Sequence, residues 1–189
     1  MSRPKSDDKR TAILDAALRV FAERGNLSAP TSAISEAAGV AEGTLFTYFK
    51  GKDDLINQLY LHLRAGFDRA LIDYPYQADP QTRLRHVWDR LIDRHLAHPE
   101  LLTLLVQLRS SGRLVKENEV PTVAITESLS ATRELVRGGK FENAPVELMV
   151  LMVRGQCEAT VGYIQVHPEK EAISRELGFQ MILNGLQGR

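Results

Sequence analysis

A large apolar side chain stands at every fourth position from residue 55 to residue 71, namely Leu55, Leu59, Leu63, Phe67 and Leu71. Residues four apart lie one above the other on an α-helix, so this spacing builds a continuous stripe there and contradicts the two-residue alternation of a half-buried strand. Such a stripe must be buried against a partner surface. Apolar positions recur at three to four residues through the rest of the chain, aromatic residues make up 6% of it, and runs of β-branched residues are few. An all-α fold is therefore predicted, divided by proline and glycine into nine helices, three short and six longer.

The first helix starts near Asp7 and Asp8, whose carboxylates suit the positive end of a helix dipole, and carries Ile13, Ala17, Val20 and Phe21 on one face. Gly25 is its stop. Two short helices, Thr31 to Ala38 and Ala41 to Phe49, flank Gly39-Val40. The striped helix runs from Lys52, with Gly51 as N-cap and Asp53 and Asp54 in its first turn, until Tyr74 to Pro80 breaks it. The next helix, about Gln81 to Ala97, buries Leu84, Val87, Trp88, Leu91, Ile92 and either His95 or Leu96. Pro99 opens a leucine-rich helix that ends at Ser111-Gly112, and a helix of about Thr122 to Arg137 stops at Gly138-Gly139. The segment from Pro145 to His167 is the most hydrophobic, and its Gly155, Ala159 and Gly162 would admit another helix closely. Pro168 separates it from the last helix, about Glu169 to Leu186.

The 24 Lys plus Arg balance 24 Asp plus Glu, and 43% of the residues are hydrophobic. Neither a disordered tail nor a polybasic arm has this composition. The length allows one domain, or a large and a small one. Cys157 is the single cysteine and can form no internal disulfide, which points to a reducing compartment or to indifference to redox state. No run of 18 apolar residues exists and the opening residues lack a signal-peptide core, so a soluble, cytoplasmic protein is expected. Zero net charge, taken alone, speaks against a nucleic-acid partner.

The stretch from Thr31 to Leu55 reads as a helix-turn-helix. Ile34, Ala37, Ala38, Val40, Leu45 and Phe49 supply a hydrophobic wedge, and Gly39 permits the tight turn. Thr44, Thr47, Tyr48, Lys50 and Lys52 carry hydroxyls and ammoniums of the kind that hold phosphates. The Ala-Gly-Val, Gly-Thr-Leu, Tyr-Phe and Lys-Asp-Asp-Leu elements stand at the spacing of the TetR family of one-component bacterial regulators, which this stretch resembles over about Lys9 to Leu61. The resemblance implies a three-helix DNA-binding head, residues 1–51, and a ligand-binding and dimerisation body, residues 52–189. It also implies that Thr31, Thr44, Tyr48 and Lys52 touch the DNA backbone, that Ser32, Glu42, Gly43 and Phe46 sit near base edges, and that Thr47 is at either. Three positions depart from the common pattern. Ala41 replaces a capping serine, Phe46 replaces a tyrosine and suits a thymine methyl, and Glu42 either accepts from a cytosine amino group or favours the helix N-terminus. Lys50 and Lys52 also read as an ordinary solvated pair, and Arg3, Lys5, Lys9 and Arg10 as either a phosphate-seeking arm or a segment with no role.

For the body, the resemblance implies a homodimer through the last two helices and a cavity for a small-molecule effector, small and largely apolar by the lining residues. Phe67, Trp88, Leu91, Leu105, Met149, Met152 and Gln156 are the candidate ligand contacts, each with a plain core role as the alternative. His62, His95, Gln107, Arg154, Gln156 and Tyr163 are the polar groups that could orient a ligand. A double-stranded operator, near-palindromic, is the expected partner, with a repressor the family's usual form. No membrane partner, cofactor or catalytic residue is expected. His95, His98 and Glu100 suggest a metal site only weakly, because Pro99 interrupts the helix, and Gly138-Gly139-Lys140 lacks the upstream glycine of a phosphate loop. A helical protein–protein adaptor with a vestigial head is the competing reading. The charge divides unevenly: residues 1–52 hold eight Lys plus Arg against six Asp plus Glu, and the remainder 16 against 18. Neutrality of the whole thus leaves a mildly positive head, for which a salt dependence shallower than a polybasic binder's is expected.

Overall fold

Asp7 and Asp8 open α1 (Asp7–Arg24), and the chain continues through α2 (Thr31–Ala37), α3 (Glu42–Tyr48), α4 (Lys52–Arg69), α5 (Pro80–Ala97), α6 (Pro99–Ser110), α7 (Val123–Val136), α8 (Val146–Val166) and α9 (Glu171–Gln187). A one-turn 3-10 helix, Pro168–Lys170, precedes α9. This is a computed structural model, and it describes residues 7–69, 71, 73–115 and 123–188. Among these the architecture is all-α, with every helix close to its predicted place; Thr122, the expected start of α7, lies outside the described residues. Leu71, the last member of the stripe, sits in a turn beyond the end of α4 and is nevertheless buried.

Contacts divide the chain into two compact units. The first comprises residues 1–65 and 99–120, so α6 packs with the N-terminal helices, on α1. Its core is Ile13, Leu14, Ala17 and Phe21 of α1, Leu55, Ile56 and Leu59 of α4, and Leu101, Leu104 and Leu108 of α6. The Gln107 amide donates to the Gly25 carbonyl at 2.7 Å, beyond the end of α1. Gly25 takes φ +64°, a left-handed conformation that only glycine adopts without a steric cost.

Residues 66–98 and 121–189 form the second unit. Asp79 caps α5 by accepting from the Gln81 and Thr82 amides at 3.0 Å each, and Pro80, which lacks an N–H, fills the first helical position. α5 packs mainly on α7, and α8 on α9. Trp88 is fully buried and its indole N–H donates to the Arg175 carbonyl at 3.1 Å. A Cβ on Gly178 would stand 2.8 Å from the Trp88 ring and 2.7 Å from the Thr160 hydroxyl, so α9 approaches closely only because residue 178 is glycine. Arg85–Glu176 and Arg175–Asp93, each 2.6 Å, add ion pairs between α5 and α9. The small residues expected to admit a helix on α8, Gly155, Ala159 and Gly162, are instead exposed, and nothing lies within 4 Å of a Cβ at either glycine.

Candidate nucleic-acid interface and effector site

α2 and α3 are held by a tight turn at Gly39, whose φ of +65° allows the Gly39 amide to reach the Glu36 carbonyl and the Val40 amide to reach the Ser35 carbonyl, both at 3.0 Å. Ile34 and Leu45 are fully buried, as is Phe49 immediately after α3. α3 places only Leu45 in the core. Glu42, Gly43, Phe46 and Thr47 are exposed, and their spacing of one and four residues aligns them as one outward strip. Ala41 occupies the N-cap without a side-chain hydrogen bond, as its lack of a hydroxyl requires.

Two internal bonds shape that strip. The Thr31 hydroxyl donates to the Glu42 carboxylate at 2.8 Å, joining the first turns of α2 and α3, and the Thr47 hydroxyl donates to the Gly43 carbonyl at 3.0 Å. Phe46 is 49% exposed with no polar group to satisfy, a costly placement for an aromatic side chain in water. Ser32 is exposed, whereas Thr44, Tyr48 and Lys52 are half-buried. Burial pushes the Lys52 ammonium below the ordinary lysine pKa, as does the neighbouring Arg113 guanidinium, with Asp53 acting in the opposite direction. Lys50 is exposed, and its amide donates to the Asp54 carboxylate at 2.8 Å. Of the supposed basic arm, Arg3 and Lys5 lie outside the described residues. Arg10 is no free arm: its guanidinium donates to Gln58 at 2.6 Å and stacks over the Phe49 ring.

The effector candidates are divided between the two units. Leu105 is buried in the first unit. In the second, Trp88 is buried against Phe179, and Leu91 packs on the cluster of Leu71, Tyr74 and Val87. The Phe67 side chain lies outside the described residues. Met149, Met152 and Gln156 do come together, lining an open and almost wholly apolar groove of about 400 Å³ with Phe141, Met181 and Leu186. Most polar candidates are engaged: His62 faces Asp15 at 3.2 Å, the His95 ring contacts the Leu91 carbonyl, Arg154 pairs with Glu158, and the Lys170 ammonium donates to the Tyr163 hydroxyl. Among the described residues, no group of three or more His, Cys, Asp or Glu is placed to hold a metal ion, so His95, His98 and Glu100 do not form one.

The last two helices, from which the sequence predicts more exposed apolar surface than a monomer tolerates, do carry such a face. Leu148, Met152 and Tyr163 of α8 and Ile173, Leu177 and Met181 of α9 are all exposed, Ile173 by 68% and Met152 by 67%. The signal available was that α9 is apolar on both sides, because Phe179, Ile182, Leu183 and Leu186 already fill its inner face. No helix among the described residues is long and apolar enough to cross a membrane.

Comparison with known proteins agrees with this geometry. The family description "Bacterial regulatory proteins, tetR family" matches residues 13–59, the span from α1 into α4. The fatty acid metabolism regulator protein of Bacillus subtilis strain 168 is 28% identical over 162 residues, 81% of each chain. A protein from Shewanella sp. PV-4 assigned to the tetR family of transcription regulators superposes with a TM-score of 0.82 at 26% identity, over 94% of this chain and 97% of that one. The transcriptional regulator FadR of Bacillus subtilis, solved in complex with stearoyl-CoA, superposes with a TM-score of 0.66 at 26% identity, over 94% and 97%. With the helix-turn-helix head, the all-α architecture and these relatives in agreement, the chain belongs to the TetR family of transcriptional regulators.

Proposed function

We propose that this regulator is a dimeric repressor that holds a near-palindromic operator and releases it on binding a small, largely apolar effector. The observation that carries the DNA reading is the division of labour in α3, which commits Leu45 to the core and leaves Glu42, Gly43, Phe46 and Thr47 outward. Thr31, Thr44, Tyr48 and Lys52 are assigned to the DNA backbone, where contacts set register. Ser32, Glu42, Gly43 and Phe46 are assigned to base edges, where contacts choose sequence, and Thr47 to either. The Thr31–Glu42 bond orients the Glu42 carboxylate, leaving one oxygen to accept from a cytosine amino group.

The exposed apolar face of α8 and α9 supports the dimer, since exposed patches of this kind mark interaction surfaces. Gly155, Ala159 and Gly162 on α8 would let a partner helix approach closely. The groove of Met149, Met152 and Gln156 opens on the same two helices and belongs with that surface as readily as with an effector. Two-fold symmetry places half-sites about 34–36 Å apart or at a multiple of that distance.

A ligand shifts an equilibrium only through its differential affinity for two states, so the effector must bind the DNA-incompetent state more tightly, and DNA must weaken effector binding reciprocally. Likeness to FadR across 94% of this chain makes a long-chain acyl-CoA the first effector to test, its acyl tail being the apolar part and its charged CoA end a departure from a wholly apolar effector. The test selects duplexes from a random pool with the purified chain, then titrates the best-bound duplex with and without stearoyl-CoA. Retention of a near-palindromic duplex and its release by stearoyl-CoA are expected. Failure to enrich any sequence would overturn the DNA reading, and retention unaffected by stearoyl-CoA would overturn the acyl-CoA assignment.

A further inference from the structure

We propose that Arg113, on the segment that follows α6, is an additional DNA-backbone contact that donates to a phosphate neighbouring the one assigned to Lys52. The inference rests on the DNA reading given above, and it extends the interface beyond the helix-turn-helix to a residue some sixty positions along the chain.

Three observations lead to it. First, the main chain of residue 113 is held from both sides. The Arg113 amide donates to the Ser111 hydroxyl at 3.1 Å, and the Arg113 carbonyl accepts from the Asn57 amide at 3.0 Å. Asn57 is buried on α4, and its carbonyl oxygen accepts in turn from the Val115 amide at 2.9 Å. Ordering a loop costs conformational entropy, and here that cost fixes where a solvent-exposed cation starts. Second, the Arg113 guanidinium is 44% exposed and lies against the first turn of α4, 3.3 Å from the Asp53 carboxylate. That pair is long and solvent-screened, so it is weak as a stabilising interaction. Third, Asp53 directly follows Lys52 in the first turn of α4, so the guanidinium that pairs with Asp53 belongs to the same helix end as the Lys52 ammonium, whose pKa it helps to lower. Two cations thus share one helix end. Their repulsion is only partly offset by Asp53, and an anion arriving between them would turn the arrangement favourable. Arginine is suited to that role, because its planar fork matches phosphate geometry.

Direct contact and mere screening of Asp53 make different predictions. The probe is the best-bound duplex selected from a random-sequence pool by the full-length chain, titrated by fluorescence anisotropy across a range of KCl concentrations. Each neutralised phosphate contributes about 0.9 to the slope of log affinity against log salt. We expect Arg113→Gln to make that slope shallower by about 0.9 while leaving the selected consensus and the thermal melt as in the parent chain. Arg113→Lys should restore the slope. The effect of Arg113→Gln should persist when Asp53→Asn is already present. An unchanged slope, or an effect that disappears in the Asp53→Asn background, would overturn the proposal, as would a changed consensus. Lys52→Gln separates the two levels: a slope loss there with none at Arg113 removes only Arg113 from the interface, whereas a parent chain that enriches no duplex removes the DNA reading and this contact with it.

Discussion

The outward faces of α3 and of the α8–α9 pair are both exposed but differ in chemistry. α3 shows Glu42, Gly43 and Thr47 around a single aromatic, Phe46, whereas α8 and α9 show Leu148, Met152, Ile173, Leu177 and Met181 with little polar relief. A face of the first kind is mostly polar, leaves only Phe46 at a cost in water, and gains from a partner that offers phosphates and base edges. A face of the second kind costs about 25 cal/mol for each Å² of apolar area left in water, and gains most from another apolar protein surface. The two faces therefore call for different partners.

The largest expected effect breaks the apolar face. Leu177→Arg should give a monomeric mass by sedimentation and drop affinity for a selected duplex toward the non-specific level, a loss on the order of 10³-fold or more. A monomer that keeps full affinity would disconnect this face from DNA binding. Next, two glycines distinguish the inner and outer sides of the same helix pair. Gly178→Ala forces a methyl group against Trp88 and Thr160 and should cost about 1–3 kcal/mol in urea denaturation. Gly155→Ala meets nothing of its own chain within 4 Å, so in the Leu177→Arg monomer it should stabilise the fold by up to about 1 kcal/mol through helix propensity, whereas in the dimer it should weaken the close approach of the partner helix. Equal effects at the two sites would contradict the packing described.

On the polar face, Phe46→Ala should leave the melt unchanged while weakening the selected duplex by about 1–3 kcal/mol and relaxing the consensus at one position. Ala41→Ser should supply the absent N-cap of α3 and raise stability by about 0.5–2 kcal/mol. The smallest effect concerns Cys157, on the inner side of α8, where burial and then Glu158 push its thiol up to about 12. At pH 8 it should resist a thiol-specific reagent in the native protein and react on unfolding. Rapid native reaction would mean that the inner face is not closed.

How much of this was legible in the sequence depended on the range of the interaction. Gly25 and Gly39 announced their turns because left-handed backbone needs glycine, and Pro99 announced a helix start because it lacks an N–H, whereas Pro80 reads in the sequence only as the end of a break and is the first residue of α5. The wedge of Ile34, Leu45 and Phe49 was equally plain, since its members lie within sixteen positions of one another. Met149, Met152 and Gln156 could be placed on one side of a helix by periodicity. Whether that side faced inward was invisible, because α8 and α9 carry apolar residues on more than one face. The Thr31–Glu42 bond, the seat of Trp88 on Gly178 and the hold of Asn57 on residues 113 and 115 left no local signal at all. Each joins residues that only tertiary packing brings together.

In the proposed assembly, a dimer formed through α8 and α9 presents the outward strip of α3 from each of its two chains to DNA. Sedimentation of the purified chain with a duplex selected from a random pool tests it most directly. Two chains on one near-palindromic duplex, with half-sites about one helical turn apart or a multiple of it, is the predicted result. A single chain bound to a site without two-fold symmetry would contradict it.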